Sequence, residues 1–335
     1  MAAPPLRMSE SPAATLARLV NGYQVSQAIH VAATLGIADR LAGGARSSDE
    51  LAAEVGADAG ALYRLLRALA AVGVLEEGAD RSFSLTEVGQ GLRSDVPESL
   101  HGWAAFMGRP YYWAAWSHLL HSVRTGENAF RALHGVDPWG YRAREPAESA
   151  IFDRAMSATS RSAIAGLVEA YDFGRFRTIV DVGGGNGALL RALLERYPEL
   201  RGVLFDQPHV VDGAGPGERL AVVAGSFFES VPPGGDAYVL KAILHDWEDL
   251  EATAILRACR AAVVDAARLL VIERELAGPN EGAEAKLSDL NMLVAPGGRE
   301  RTLEEYRDLL AAGGFELEQA IPTRAGLSIL EARPA

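Results

Sequence analysis

Cysteine is almost missing from this chain, which has one, Cys259, among 335 residues. A lone cysteine closes no internal disulfide and builds no cysteine-rich zinc site. That fits a reducing compartment and makes the cytoplasm the expected location. Long apolar runs are also missing. None reaches the roughly 18 residues that cross a bilayer, so no membrane partner is expected. The opening MAAPPLRMSESPAA lacks the apolar centre of a secretory signal. Positive charge is in deficit, with 32 Lys and Arg against 44 Asp and Glu and a net charge of −12. Such a balance disfavours binding to a phosphate backbone, and no nucleic-acid partner is expected. What is there suits a soluble globular protein, 49% hydrophobic and 23% charged, and too long for one ordinary core.

The first third has apolar residues at three- and four-residue spacing (Leu16, Leu19, Val20, Tyr23, Val25, Ile29), a helical pattern. The segment SSDELAAEVG, Ser47 to Gly56, carries a Ser cap, acids in its first turn and a closing glycine. A second helix runs up to Gly73. VLEEG and SFSLT then alternate like two short strands around GADR. Helix–turn–helix followed by a two-stranded wing is a winged-helix pattern. Residues 101–165 read as helical and aromatic: 10 of the chain's 24 Phe, Trp and Tyr fall between Trp103 and Phe152. Most must be core, and a few are free to line a pocket for a flat ligand.

The pattern changes near residue 177. Apolar β runs at 177–183, 201–206, 220–227, 236–244 and 268–274 alternate with helical stretches. This alternation predicts a doubly wound, mostly parallel sheet covered on both faces. FELEQAIP and LSILEARP, joined only by TRAG, predict an antiparallel edge hairpin, for seven strands in all. The expected fold is therefore α/β, a Rossmann-like domain over 166–335, with a mainly helical domain over 1–100 and a helical connector over 101–165.

The first strand runs into DVGGGNGALL, Asp181 to Leu190. Glycines 183, 184, 185 and 187 allow a tight turn and close approach of a ligand to the backbone. The helix that follows offers free N–H groups and a positive dipole end. Asp206 closes the second strand, where a carboxylate can accept both hydroxyls of a ribose. Gly183, Gly185 and Ala188 equally satisfy a dinucleotide pattern. Asp181, two residues before the first glycine, favours a cationic ligand over a pyrophosphate. Further along, LKAILHDWED places His245 after an apolar strand. Glu273 ends the next strand, and Glu300 follows the turn PGGRE. A neutral histidine beside a carboxylate is a general base of fixed tautomer. Taken alone, the same histidine could be a helix-start residue and Glu273 a solvated strand end.

The set DVGGGNG, GVLFDQP, AGSFFESVP, LKAILHDWED, VIERELAGP and LNMLVAPGGRERT resembles the S-adenosylmethionine-dependent O-methyltransferases of the plant caffeate type and their bacterial antibiotic-tailoring relatives. The resemblance covers nearly the whole chain. It implies S-adenosyl-L-methionine as cofactor, with no metal, and a homodimer formed through the N-terminal domain. In the cofactor site, to which the charge argument already assigns Asp181, it implies Gly183 and Gly185 at the methionine end, Asp206 at the ribose, Ser226 and Phe227 at the adenine, and Lys241. Where that family usually has Asp before Met or Phe, this chain has Ser226, an uncharged acceptor. The resemblance also implies His245 as base, flanked by Glu273 and Glu300. Trp116, Phe152, Met156, Asp289 and Met292 are the candidates for lining the pocket of a small aromatic hydroxylated acceptor.

Two other readings are open. Some relatives do not methylate, or methylate nitrogen; His245 favours a hydroxyl. A winged helix could instead read DNA, but residues 36–92 hold nine acids and five arginines, a poor groove-reading face.

Overall fold

The computed structural model describes residues 11–335, with only the backbone described for 158–162. Contacts divide the chain into two compact units, Met1–Arg109 and Pro110–Ala335. The helix His101–Met107 therefore groups with the first unit, and the aromatic-rich helices of Pro110–Ala170 group with the sheet. Among the described residues, no helix is long and apolar enough to cross a membrane.

In the first unit the helix Ser48–Val55 starts in a capping box. The Ser47 side chain accepts the Glu50 N–H, and Glu50 reaches back to the Ser47 backbone. The helix ends at Gly56 in the left-handed region. The helix Ala59–Ala71 follows, then β2 (Leu75–Glu77) and β3 (Ser82–Leu85). The sequence reading missed β1 (Arg46–Ser47), which pairs with β3 to give the order β1-β3-β2. Leu51, Leu66, Leu69 and Phe83 are fully buried at the centre. On the first helices Leu16, Leu19, Val20 and Tyr23 remain more than half exposed.

The second unit holds the expected seven-stranded sheet: β4 (Thr178–Val182), β5 (Arg201–Asp206), β6 (Leu220–Ala224), β7 (Ala237–Lys241), β8 (Arg268–Glu273), β9 (Phe315–Pro322) and β10 (Ser328–Pro334). Their order is β6-β5-β4-β7-β8-β10-β9. The first five are parallel, and β10 is antiparallel to both β8 and β9. Successive side chains go to opposite faces. On β8, Leu269 and Val271 join the cluster of Tyr238 and Leu256, while Leu270 and Ile272 join Leu190 and Leu204. Both faces are thus buried, as a parallel sheet requires.

Two strands stop earlier than their apolar runs suggest. β6 ends at Ala224, so Ser226 and Phe227 lie in the following loop. β7 ends at Lys241, and His245 sits four residues further on in a short 3-10 turn, Leu244–Asp246, rather than at the end of the strand. The chain leaves the sheet at Ala242, which takes φ +54°. An apolar run marks burial, and here the burial continues where the extended backbone does not.

The edge hairpin is pinned by Glu331, which is 2% exposed. Its carboxylate accepts the Tyr171 hydroxyl at 2.9 Å and the Gln319 amide at 2.7 Å, and pairs with Arg175 and Arg268. Removing one member of a buried ionic network strands the rest. Glu331→Ala is expected to lower the unfolding free energy by about 3 kcal/mol in urea titration. A loss within the ±0.5 kcal/mol usual for surface substitutions would show the network to be dispensable.

Candidate active site

The carboxyl ends of β4 and β7 open onto one crevice, the place where an open α/β sheet binds ligands. Gly183 leaves β4 at φ +71°, and a Cβ there would meet Ile243 at 2.5 Å. Only glycine lets this turn pass under the loop that follows β7. The Gly185 N–H donates to Asp206 Oδ2 at 2.8 Å, so the glycine turn and the end of β5 meet. Phe227 is 3.5 Å from that same Gly183 position, which brings the loop after β6 to the crevice. The Ser226 hydroxyl accepts the Phe228 N–H at 3.3 Å. Phe227 and Phe228 pack edge-on to Trp247, with centroids 6.2 and 4.7 Å away. Asp181 is 2% exposed and its Oδ2 has no hydrogen-bond partner among the described residues. Burial pushes its carboxyl up to about 7, opposed by the charge of Lys241. Burial in turn lowers Lys241, opposed by Asp181 and Glu273.

The histidine cluster stands beside this turn. Glu273 Oε1 accepts the N–H groups of Ile243 at 2.9 Å, Leu244 at 2.8 Å and His245 at 3.4 Å. It therefore shapes the backbone that carries the imidazole. His245 Nδ1 lies 3.0 Å from Glu300 Oε1 and 3.5 Å from Glu273 Oε2. Glu300 also accepts the Ser288 hydroxyl at 2.7 Å. The remaining nitrogen, Nε2, is 3.7 Å from Asp246 Oδ1. Burial alone would lower the His245 pKa. The charges of Glu273, Asp246 and Glu300 outweigh it and push the imidazole up to about 10. Burial also raises Glu273 to about 7 and Asp246 to about 6, against the pull of His245 in both and of Arg142 on Asp246. Burial acts the same way on Glu300, but its hydrogen bond to His245 prevails and holds its carboxyl below the usual range. Glu300 is thus the member that stays ionised against the imidazole. The ligand atoms of His245, Glu273 and Glu300 lie within 4.8 Å of one another.

Two features of the PGGRE turn lock this geometry. A Cβ on Gly298 would meet the His245 carbonyl and the Trp247 N–H at 2.2 Å each, so the turn seats directly on the histidine loop. Arg301, 1% exposed, donates to the carbonyls of Leu244, Trp247 and Arg299 at 3.0, 2.9 and 3.2 Å. It also donates twice to Asp249 Oδ1. The acids after Trp247 thus serve the clamp and the start of the helix Asp249–Ala262.

The acceptor candidates divide. Asp289 accepts the Glu300 N–H at 3.0 Å, so its carboxylate supports the loop. Met292 is buried one turn further along the helix Ala283–Val294. In that helix Asn291 accepts the Tyr112 hydroxyl at 2.5 Å, tying Pro110–Ser117, the helix of Trp116, to the site. Phe152 and Met156 lie half-buried on Pro146–Ala170, the Phe152 ring under the guanidinium of Arg142 at 3.7 Å. Sequence reasoning passed over Asp246, Arg142, Ser288 and Arg301. Asp246 and Arg301 directly follow His245 and Glu300, and that adjacency was the one available signal.

Residues 116–316 match the model of the O-methyltransferase domain, and residues 17–95 match that of the O-methyltransferase dimerisation domain. The chain belongs to the O-methyltransferase family. It is 43% identical to a phenazine O-methyltransferase of Lysobacter antibioticus over 95% of each chain. The solved structure of LaPhzM superposes with a TM-score of 0.92 at 42% identity, covering 97% of this chain and 100% of that one. Human N-acetylserotonin methyltransferase, solved in complex with SAM, superposes at 0.91 with 30% identity, covering 98% of this chain and all of that one. A phenazine-1-carboxylate N-methyltransferase of Pseudomonas aeruginosa is 34% identical over 92% of this chain and 93% of its own.

In this O-methyltransferase, Arg301→Lys replaces a five-bond fork with a point charge. Turnover is expected to fall at least tenfold, with cofactor affinity by calorimetry within twofold of the parent. Parental turnover would show that the loop holds its shape without the clamp.

Proposed function

We propose that the protein transfers the methyl group of S-adenosyl-L-methionine to a hydroxyl of a small aromatic natural product, with His245 as general base. The observation that carries this is the His245–Glu300 pair, 3.0 Å apart, set beside a glycine turn in a chain of this family.

The crevice fits the cofactor. Gly185 has open space where a Cβ would stand, and the orphaned Asp181 carboxylate suits a ligand with cationic groups. Asp181, Gly183, Gly185 and Lys241 are assigned to its methionine end, Asp206 to the ribose, and Ser226 and Phe227 to the adenine. When bound, the cofactor supplies a methyl group on a sulfonium, whose leaving sulfur needs no metal. EDTA is accordingly expected to leave turnover unchanged, and chelator-sensitive turnover restored by a divalent ion would reassign His245, Glu273 and Glu300 as ligands.

The chain's own work is to align the acceptor and take its proton. Alignment can lower a barrier by about 7–11 kcal/mol. Glu300 holds Nδ1, leaving Nε2 for the acceptor hydroxyl. A phenol and a free imidazole differ by about 3.5 pKa units, which makes advance proton transfer cost about 5 kcal/mol. The carboxylates close that gap by raising His245 to about 10. Trp116, Phe152, Met156 and Met292 are assigned to the acceptor's ring, and Asp289 to the Glu300 loop.

His245→Ala is expected to lose at least about 10²-fold in turnover of a phenol with cofactor affinity unchanged. Parental turnover would remove the base assignment. A nitrogen acceptor, as the N-methylating relative suggests, needs no such base and would tolerate the change. The pH profile has a definite sign. A base with a raised pKa is neutral only as pH climbs toward that value, so turnover of a simple phenol is expected to rise from pH 7 toward about 10. Glu300→Gln removes a carboxylate and should move the rise to lower pH. A profile that stays put in that variant contradicts the pairing.

Homodimer formation through the N-terminal unit is part of the same proposal. The dimerisation-domain match and the exposed Leu16, Leu19, Val20 and Tyr23 support it.

A further inference from the structure

Arg142 is the group that the chemistry proposed above leaves unused. It lies in the last turn of the helix Pro138–Arg144 and is 5% exposed, a burial that charged side chains rarely reach unless paired. Its guanidinium lies over the rings of Phe152 at 3.7 Å and Trp139 at 4.6 Å, so aromatic faces stand in for part of its lost hydration. Among the described residues no carboxylate comes within ion-pair distance of it. The acids that feel its charge are Asp246, beside His245 Nε2, and the exposed Asp153. The Tyr111 hydroxyl also feels the charge of Arg142, and its buried oxygen has no well-formed hydrogen bond. A buried guanidinium with no counter-ion among the described residues and a buried hydroxyl with no well-formed hydrogen bond therefore stand together, on the side of the site that carries the acceptor candidate Phe152. Buried donors left unpaired are costly and rare.

We propose that Arg142 and Tyr111 form an anion subsite, and that the acceptor is an aromatic hydroxy acid whose carboxylate is held there while its hydroxyl faces His245. The proposal rests on the methyl-acceptor reading of the site. A guanidinium suits this task because its planar fork matches a carboxylate with two parallel hydrogen bonds, which an ammonium cannot do. The flanking Trp139 and Phe152 rings suit a planar ring, which carries such an acid at a fixed distance from its hydroxyl.

The test is binding rather than turnover, so that it stands apart from the role of His245. Enzyme loaded with S-adenosylhomocysteine is titrated calorimetrically with 3-hydroxy-2-naphthoate and, separately, with its uncharged amide, 3-hydroxy-2-naphthamide. A panel of further hydroxybenzoates and hydroxyphenazine carboxylates is matched with their amides in the same way. The parent is expected to bind acids at least tenfold more tightly than amides. Arg142→Gln should bring that ratio to near one, Arg142→Lys should keep part of it, and Tyr111→Phe should reduce it. S-adenosylhomocysteine affinity serves as the check on folding. If Arg142→Gln does not fold, the graded ratios of Arg142→Lys and Tyr111→Phe decide. Equal binding of acid and amide by the parent overturns the proposal. So does a preference that survives Arg142→Gln, an unchanged ratio in both milder variants, or a panel in which no acid binds. His245→Ala should keep the acid preference. If turnover shows the base assignment to be wrong while the preference remains, only the reading of His245 falls.

Discussion

One carboxylate sets the shape on which the site depends. Glu273 ends β8, and its Oε1 takes three successive N–H groups from the chain leaving β7. Those donors have no strand partner, because Ala242 has turned the backbone out of the sheet. Buried N–H groups left unpaired cost about 1–3 kcal/mol each, so the turn exists at this depth only with an acceptor beneath it. The turn in turn fixes the backbone of His245 and places Ile243 against Gly183. The proposed base and the proposed cofactor cradle are thus two sides of one loop, and their separation is set before any ligand arrives.

The second constraint is charge. Glu273, Glu300 and Asp246 surround one imidazole in a region where Coulomb interactions are weakly screened. They cannot all remain ionised, and the structure distributes the burden unequally. Glu273 spends one oxygen on backbone donors and leaves the other orphaned, with its carboxyl pushed up to about 7 by burial. Glu300 keeps its charge through His245 and Ser288. The cluster therefore favours a protonated imidazole at neutral pH, with Glu300 as its firm counter-ion. Carboxylate neighbours of this kind both orient the base and raise its affinity for a proton.

The sequence revealed the seven strands, their hairpin edge and the three groups of the histidine cluster, because each is written locally: apolar runs, a glycine turn, acids at strand ends and after a tight turn. It did not reveal which acid does what. Glu273 and Glu300 look alike as residue types, and they differ only through what the fold brings to them from 28 and 12 residues away. Arg301 was invisible for the same reason. Four of its five bonds reach back 52 to 57 residues to carbonyls and a carboxylate on the histidine loop. The ends of β6 and β7 were misplaced because hydrophobic runs report burial, and both chains stay buried after their strands have ended.

A base raised to about 10 has a consequence for the acceptor. At pH 7 its neutral form lies about 3 units away, which costs about 4 kcal/mol before any proton can be taken. An acceptor that enters already ionised avoids that cost, since the imidazolium then serves as counter-charge to its oxygen. A ring bearing acidifying substituents meets this condition better than a simple phenol. A carboxylate on the same ring is a different matter: it brings a second negative charge that the cluster around His245 would repel. Arg142 lies on that same side and has no counter-ion of its own among the described residues. The two buried cations thus make complementary demands, one for an acidic hydroxyl and one for a separate anion, and a planar aromatic hydroxy acid satisfies both with one rigid ring.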